Sequence, residues 1–385
     1  MGRLRDALAR PGLATIAEVK RRSPSAGELR RDADPGRLAA AFASSGAAAV
    51  SVLVDERFGG TLGDLVAARS ATEIPLLAKG FFAREQELDA LHRAGADAVL
   101  LLLRDLDDAR ARTMMEAAAR LGLDTLVEAH DAAELERATV LGADPIGINA
   151  RDLESFRIDR SSQLELVARA PRDRVVVAES GIWSRAQGAA AELAGADAIL
   201  VGSALMRAGD PAEKLAELAS RPLVKVCGLT RQEDVDAAVD AGADLCGFIF
   251  ADTPRRAPRL LDVPDRALSV AVYVGEPAET EADLVQVYES ERGKVRGRDA
   301  VLLRAGVPVA RVVDLPWEEA DPDHLVRAAA AAGRIMLAGR LGPDNVRAAV
   351  ERVNPWAVDA ASRLESEPGV KDHDRVRAFV GAARR

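Results

Sequence analysis

Glu18 and Lys20 stand two residues apart in Thr15-Ile16-Ala17-Glu18-Val19-Lys20, an otherwise apolar run. Alternate residues of a strand share a face, so both charges point the same way. Burying an ionised pair is costly unless partners compensate. Such a strand, followed by the hydroxyl-rich turn Ser23-Pro24-Ser25-Ala26-Gly27, reads either as part of an active site or as an edge strand with solvated charges. Polar residues end further apolar runs at Lys79, Glu128, Asn149 with Arg151, Glu179 with Ser180, and Gly202 with Ser203. Lysines and carboxyl groups around one cavity could give and take protons. Ser180-Gly181 and Gly202-Ser203 offer backbone N–H groups to an anion such as phosphate. Lys225 and Cys227 repeat the two-residue spacing in the second half.

The elements that must position these groups follow a rhythm. Gly46-Ala47-Ala48-Ala49-Val50, Gly95-Ala96-Asp97-Ala98-Val99, Gly142-Ala143-Asp144, Gly195-Ala196-Asp197-Ala198-Ile199 and Gly242-Ala243-Asp244-Leu245 each follow a helical pattern and precede an apolar strand. Glycine suits the left-handed position that ends a helix. Strands are expected at 15–19, 48–54, 75–78, 98–103, 125–128, 145–149, 175–179 and 198–202. Eight βα units fit a (β/α)₈ barrel, whose functional groups project from the carboxyl ends of the strands. No Gly-rich dinucleotide fingerprint follows the first strand, which counts against a doubly wound sheet. The pattern restarts at Pro222-Leu223-Val224-Lys225-Val226-Cys227-Gly228, so the domains are drawn as 1–220 and 221–385. The fold expected is α/β, two TIM-type barrels in tandem. Strand candidates in the second half stop at about seven, one βα unit short of the eight in such a barrel.

Composition narrows the function. With 385 residues, 48% hydrophobic and 29% charged, the chain is globular. No apolar run approaches the roughly 20 residues of a membrane span, and residues 1–10 show no secretory pattern. Two cysteines fit a reducing, cytoplasmic setting. A net charge of −9 and 3% aromatic residues argue against nucleic acid as a partner. No metal-ligand spacing is present: Glu128 and His130 share a face without a third ligand, and His130 reads as a satisfied loop histidine. His92, His324 and His373 read as solvated.

The segments at 16–27, Leu77-Ala78-Lys79, Leu126-Val127-Glu128-Ala129-His130, Gly147-Ile148-Asn149-Ala150-Arg151-Asp152-Leu153, Ala178-Glu179-Ser180-Gly181-Ile182 and Leu200-Val201-Gly202-Ser203-Ala204-Leu205-Met206 together resemble indole-3-glycerol phosphate synthase. The resemblance implies cofactor-free closure of an indole ring from carboxyphenylamino-deoxyribulose phosphate, with loss of carbon dioxide and water. It implies Lys79 as general acid and Glu128 as base or acid in the dehydration. Lys20, Asn149 and Arg151 would hold the anthranilate carboxylate. Glu18 and Glu179 would pair with the lysines, and Ser23, Ser180, Gly181, Gly202 and Ser203 would surround the phosphate. Gly80 departs from the family, which usually has Asp there. Only about sixteen residues precede the first motif, which is expected to weaken closure over the substrate.

Val224-Lys225-Val226-Cys227-Gly228-Leu229-Thr230, Gly247-Phe248-Ile249-Phe250, Thr253-Pro254-Arg255 and Leu337-Ala338-Gly339 resemble phosphoribosylanthranilate isomerase, the preceding enzyme of tryptophan biosynthesis. That family uses a cysteine base and an aspartate acid in an Amadori rearrangement. The resemblance implies Cys227 as the base and Arg255 as the carboxylate ligand. The family's Gln-Leu-His-Gly is Gln286-Val287-Tyr288-Glu289 here, its phosphate turns carry Arg340 and Arg363 in place of glycines, and its sixth strand has no counterpart between Trp317 and Arg334. Asp314 is the one acid at a plausible strand end that could replace the missing donor. Three readings of the second half stay open: a working isomerase, an eroded one, and a non-catalytic interaction module. The partners implied are phosphorylated anthranilate derivatives and other enzymes of the same pathway.

Overall fold

Eight parallel strands close the first barrel in the computed structural model, which describes residues 2–23, 27–152, 155–291, 294–315 and 323–385. The strands are β1 (Ala14–Val19), β2 (Ala49–Leu53), β3 (Leu76–Lys79), β4 (Ala98–Leu102), β5 (Asp124–Ala129), β6 (Ile146–Asn149), β7 (Val176–Glu179) and β8 (Ala198–Val201). The ring closes where Ile16 of β1 pairs with Leu200 on one side and Ala49 on the other. All eight expected strands are present. Pro24, Ser25, Ala26 and Leu153 of the quoted motifs lie outside the described residues, as do Pro316 and Trp317.

The Gly-Ala-Asp repeat has a physical role at both of its ends. Gly46, Gly95, Gly142, Gly195 and Gly242 all have positive φ, between 78° and 119°; a side chain would be strained there. The aspartates then fasten the start of a nearby strand. Asp97, Asp144, Asp197 and Asp244 accept the backbone N–H of Leu76, Val175, Val176 and Val224 respectively, at 2.8–2.9 Å. The repeat therefore holds the amino-terminal ends of strands together and leaves the carboxyl ends open for chemistry.

That closed end of the first barrel is filled. The helix Arg3–Leu8 places Leu4 and Leu8, both fully buried, against Ile16, Leu77, Leu126 and Val177 inside the strands. Asp124 at the start of β5 accepts the N–H groups of Leu4 and Arg5 at 2.9 and 3.1 Å, satisfying two donors that open a helix. A second core lies between the strands and the outer helices, where Phe42, Leu65, Leu88 and Met114 are buried.

The second barrel is built differently. Its strands are β9 (Leu223–Cys227), β10 (Leu245–Ile249), β11 (Leu268–Val274), β12 (Leu284–Glu291), β13 (Lys294–Arg304), β14 (Val307–Val313), β15 (Ile335–Leu337) and β16 (Ala357–Ala360). They close in that order, but β13 is antiparallel to both neighbours, pairing Gln286 with Leu302 and Val301 with Arg311. Among the described residues, helices follow only β9, β14, β15 and β16. The expected shortage lies in βα units and helices, while the number of strands is eight rather than seven. A hairpin strand needs only a short turn, whereas a parallel strand needs a crossover. The antiparallel β13 thus restores closure with little chain, and its alternation over 294–304 was not legible as a barrel strand. The chain divides into two compact units, Met1–Trp183 with Gly188–Ala219 and Ser184–Gln187 with Ser220–Arg385.

Candidate active sites

Lys79 is the hub of the first site. Its Nζ lies 2.6 Å from Glu179, 3.5 Å from Glu18 and 3.8 Å from Glu128. Lys20 Nζ lies 2.5 Å from the other oxygen of Glu18. Asn149 donates to Glu128 at 3.0 Å and accepts the N–H of Arg151 at 2.9 Å, so its amide is fixed from both sides. These groups come from the carboxyl ends of β1, β3, β5, β6 and β7 and the turns that follow them. The edge-strand reading of Glu18 fails: it is 3% exposed, in a strand paired on both sides.

Three carboxylates face two ammonium groups in this cluster, and burial sharpens the imbalance. Burial alone would discharge Lys79, but Glu179, Glu18 and Glu128 outweigh it and hold the ammonium above its ordinary pKa. Glu128 is driven the other way: burial opposes its charge, yet Lys79, His130 and Asn149 bring it down to about 2. Glu179 takes the remainder. Burial, with Lys79 opposing and the Glu128 charge adding to it, raises its carboxyl to about 8. Two carboxyl groups within reach of one lysine are thus pushed apart, Glu128 toward the ionised form and Glu179 toward the protonated one.

A cavity of about 130 Å³ opens over the cluster. Leu53, Phe58, Phe81, Ile158 and Trp183 give it apolar walls, and Ser23, Arg151, Ser180, Gly181, Gly202 and Ser203 line it with polar groups. Ser180 and Gly181 both take left-handed φ, 68° and 72°, in a tight turn after β7. Gly202 precedes the short helix Ser203–Arg207; an added Cβ there would run into Glu18 Oε1 and stand 2.9 Å from Lys20 Nζ. Gly80 also lines the cavity, and a side chain there would fall 2.7 Å from the Phe82 ring.

Two residues belong to this site that sequence reasoning set aside or missed. His130 lies 3.2 Å from Glu128 Oε1 through Nε2 and 3.0 Å from Glu134 through Nδ1. Burial would lower its pKa, but the two carboxylates raise it to about 10. The signal in the sequence is the face that His130 shares with Glu128, two residues before it in an extended chain. Gln163, 1% exposed on the helix Arg160–Arg169, donates to the carbonyls of Ile148 and Glu179 at 2.8 and 2.6 Å. Nothing in its helical context marks that role. His324 is likewise buried, not solvated, with Nε2 2.9 Å from the Ala338 carbonyl.

The second barrel places Cys227, Arg255 and Asp314 around one cavity of about 350 Å³. Lys225, fully buried, donates to Cys227 Sγ at 3.4 Å, to Gln286 at 2.7 Å and to Asp359 at 2.9 Å. Burial pushes the Cys227 thiol up, and Lys225 opposes that shift. Arg255 is paired with Glu365, which also takes Lys371 at 2.9 Å, so two cations share one buried carboxylate. Arg340 lines the cavity too and adopts the left-handed φ of 54° that a glycine would take without strain. Arg363 is engaged by Asp344 at 2.8 Å and by the Arg340 carbonyl. Among the described residues, no cluster of three potential metal ligands occurs and no helix is long and apolar enough to cross a membrane.

Comparison with known proteins bears directly on both halves. The family model of indole-3-glycerol phosphate synthase matches residues 2–218, and that of N-(5'-phosphoribosyl)anthranilate isomerase matches residues 318–382. Indole-3-glycerol phosphate synthase of Nocardioides sp. is 47% identical over 201 residues, covering 52% of this chain and 77% of that protein. Indole-3-glycerol phosphate synthase 2 of Streptomyces coelicolor is 47% identical over 206 residues, covering 53% and 80%. Among solved structures, TrpF from Jonesia denitrificans aligns at 27% identity over 43% of this chain and 97% of that chain, with a TM-score of 0.34. The chain belongs to the indole-3-glycerol phosphate synthase family and carries an isomerase-type segment in its second half, the layout of a synthase and isomerase of tryptophan biosynthesis.

Proposed function

We propose that the first barrel is a cytoplasmic carbon–carbon lyase that closes the indole ring of carboxyphenylamino-deoxyribulose phosphate. The observation that carries this reading is Lys79, held among Glu179, Glu18 and Glu128 at a cavity with apolar walls and a polar rim. Ring closure needs the aryl carbon to attack the ribulose carbonyl carbon while the carbonyl oxygen takes a proton, and Lys79 is the donor. Carbon dioxide then leaves, its bonding pair restoring the ring. Loss of water needs a base for the carbon-bound proton, and Glu128, kept ionised by Lys79 and His130, can accept that proton but has none to give. Lys20, Asn149 and Arg151 face the anthranilate carboxylate. Glu18 and Glu179 set the positions and charges of the two lysines. Ser23, Ser180, Gly181, Gly202 and Ser203 receive the phosphate, the last at a helix start where N–H groups are unpaired. The test is formation of indole-3-glycerol phosphate from that substrate by the purified chain, with Lys79→Ala beside it. Equal rates in the two proteins would sink the assignment.

A second reading is favoured by one observation: Cys227, Arg255 and Asp314 line the same cavity although a βα unit is missing. It makes the second barrel a phosphoribosylanthranilate isomerase, so that the chain catalyses two consecutive steps. Rescue of an isomerase-deficient tryptophan auxotroph by the whole gene is the expected result. Failure of that strain to grow, with rescue of a synthase-deficient strain, would leave the second half non-catalytic.

A further inference from the structure

The ladder between β6 and β7 ends at the pair Asn149 and Glu179, and the Ala150 N–H adds one bond beyond it, to the Glu179 carbonyl at 3.0 Å. Side chains then take over the tie between the two strand ends. Gln163 gives both protons of its amide to backbone carbonyls, Ile148 of β6 at 2.8 Å and Glu179 of β7 at 2.6 Å. Two carbonyls can be faced only by the nitrogen, so the orientation of this amide is fixed. Its oxygen is left buried with no hydrogen-bond partner among the described residues, which is costly. An apolar side chain of the same size would pack without that cost. What Gln163 adds is the pair of bonds across two strands.

The chain between β6 and the helix Arg160–Arg169 folds back to the same place. Arg151 bridges Ile158, the Asp159 N–H donates to the Ala150 carbonyl at 2.8 Å, and Asp159 caps the helix by accepting the Ser162 N–H at 3.0 Å. Ile158 and Arg160 are thereby brought onto the turn after β7. Arg160 donates to the Gly181 carbonyl at 3.0 Å, and a Cβ on Gly181 would stand 2.7 Å from Ile158 Cγ2. Ser180 takes a left-handed φ of 68° without being glycine, a conformation that persists only where the surroundings enforce it. The bonds from Gln163 and Arg160 fall on the carbonyls just before and just after it.

We propose that Gln163 and Arg160 are positioning residues of the first site: they clamp the strained turn at Ser180 to the end of β6 and so fix the separation of the two groups that take the ends of the substrate. This rests on the synthase reading of that barrel, in which Asn149 and Arg151 after β6 face the carboxylate and Ser180 and Gly181 after β7 receive the phosphate. A substrate held at one end meets the other end as an intramolecular partner, and that gain exists only if the spacing is right. A separate phosphate or carboxylate does not sense the spacing. The clamp also holds the backbone of Glu179, whose side chain stands 2.6 Å from Lys79 Nζ. A shift of the turn therefore moves the nearest partner of the proton donor as well.

The test compares the whole substrate with its two ends. Synthase kcat/KM for carboxyphenylamino-deoxyribulose phosphate is measured in the full chain, beside the inhibition constants of inorganic phosphate and of anthranilate, each added alone. Gln163→Met keeps the volume and removes both donors. It is expected to lower kcat/KM on the order of 10²-fold, the effect of a misplacement of about 1 Å, with both inhibition constants within about twofold of wild type. Arg160→Ala, at a partly exposed position, serves where Gln163→Met fails to fold. It is expected to lose about tenfold in kcat/KM, the worth of one charge-assisted bond, and Arg160→Lys, which can still donate to the Gly181 carbonyl, to recover part of that loss. A folded variant with near wild-type kcat/KM, or with an inhibition constant weakened by the same factor as kcat/KM, overturns the proposal and leaves the synthase reading intact. A wild-type chain that forms product but is inhibited by neither ion has no separable ends and overturns the proposal too. Absence of product from the wild-type chain overturns both.

Discussion

Lys79 Nζ and Glu179 Oε2 stand 2.6 Å apart, while Glu18 and Glu128 lie 3.5 and 3.8 Å from the same nitrogen. The Glu179 carboxyl is raised to about 8, so on the alkaline side it is the nearest of the anions that keep Lys79 charged. Glu179→Gln preserves the shape and removes that charge. The Lys79 pKa should fall, and the alkaline limb of synthase kcat/KM should move to lower pH. An alkaline limb that stays where it was would show that Lys79 ionisation does not govern the rate.

His130 offers a second titration test. Its ring stands between Glu128 and Glu134, at 3.2 and 3.0 Å, and Asn149 and Lys79 face Glu128 from β6 and β3. With its pKa raised to about 10, His130 is a cation through the neutral range and keeps Glu128 ionised. His130→Gln removes that charge, so the Glu128 pKa rises. If Glu128 works as a base, activity on the acid side must then be lost at a higher pH than in the wild type. A parallel drop at every pH would assign His130 to packing instead.

Legibility in the sequence followed the physics of each element. The first barrel was readable because its units are linked by helices and glycine turns, and each buried parallel strand ends in a polar residue at the rim. Lys79, Glu128 and Glu179 stood out because a charge at the end of an apolar run is costly without a partner. Gln163 was silent, since a glutamine in a helix carries no such cost until the chain is folded. The antiparallel β13 was silent for another reason: its charged alternation over Lys294–Arg304 resembles a solvated hairpin, and closure of a barrel is not a local property. Asp314 could be named but not placed, because its partner Tyr288 lies across a strand that the sequence did not show.

Gly202 sets how closely the polar rim of the cavity approaches the charged cluster. Its φ of −126° is open to any residue, so Gly202→Ala should fold without backbone strain. The new methyl group instead meets Glu18 Oε1 and lies 2.9 Å from Lys20 Nζ. Glu18 must move, and with it one of the anions of Lys79. Misplacement by about 1 Å can cost on the order of 10²-fold in rate, so kcat should fall by roughly that much while thermal stability changes little. A large loss of stability with unchanged kcat would mean that the cluster tolerates the methyl group and the fold does not.

Leu8 makes the opposite prediction, a change in stability without a change in chemistry. It is fully buried among Ile16, Leu77, Leu126 and Val177 at the end of the barrel away from the lysine cluster. Leu8→Ala leaves a cavity lined by strand residues that are hydrogen-bonded on both sides and cannot collapse inward. Such substitutions cost about 2–5 kcal/mol. Denaturant titration of the full chain, followed by loss of synthase activity, should show a lower midpoint at unchanged slope, with the unfolding free energy reduced by that amount. At low denaturant kcat should stay within about twofold of wild type, because a buried change at the far end of the barrel from the reacting groups removes no contact made in the transition state. A midpoint unchanged by Leu8→Ala would show that the helix Arg3–Leu8 is not part of the cooperative core of this barrel.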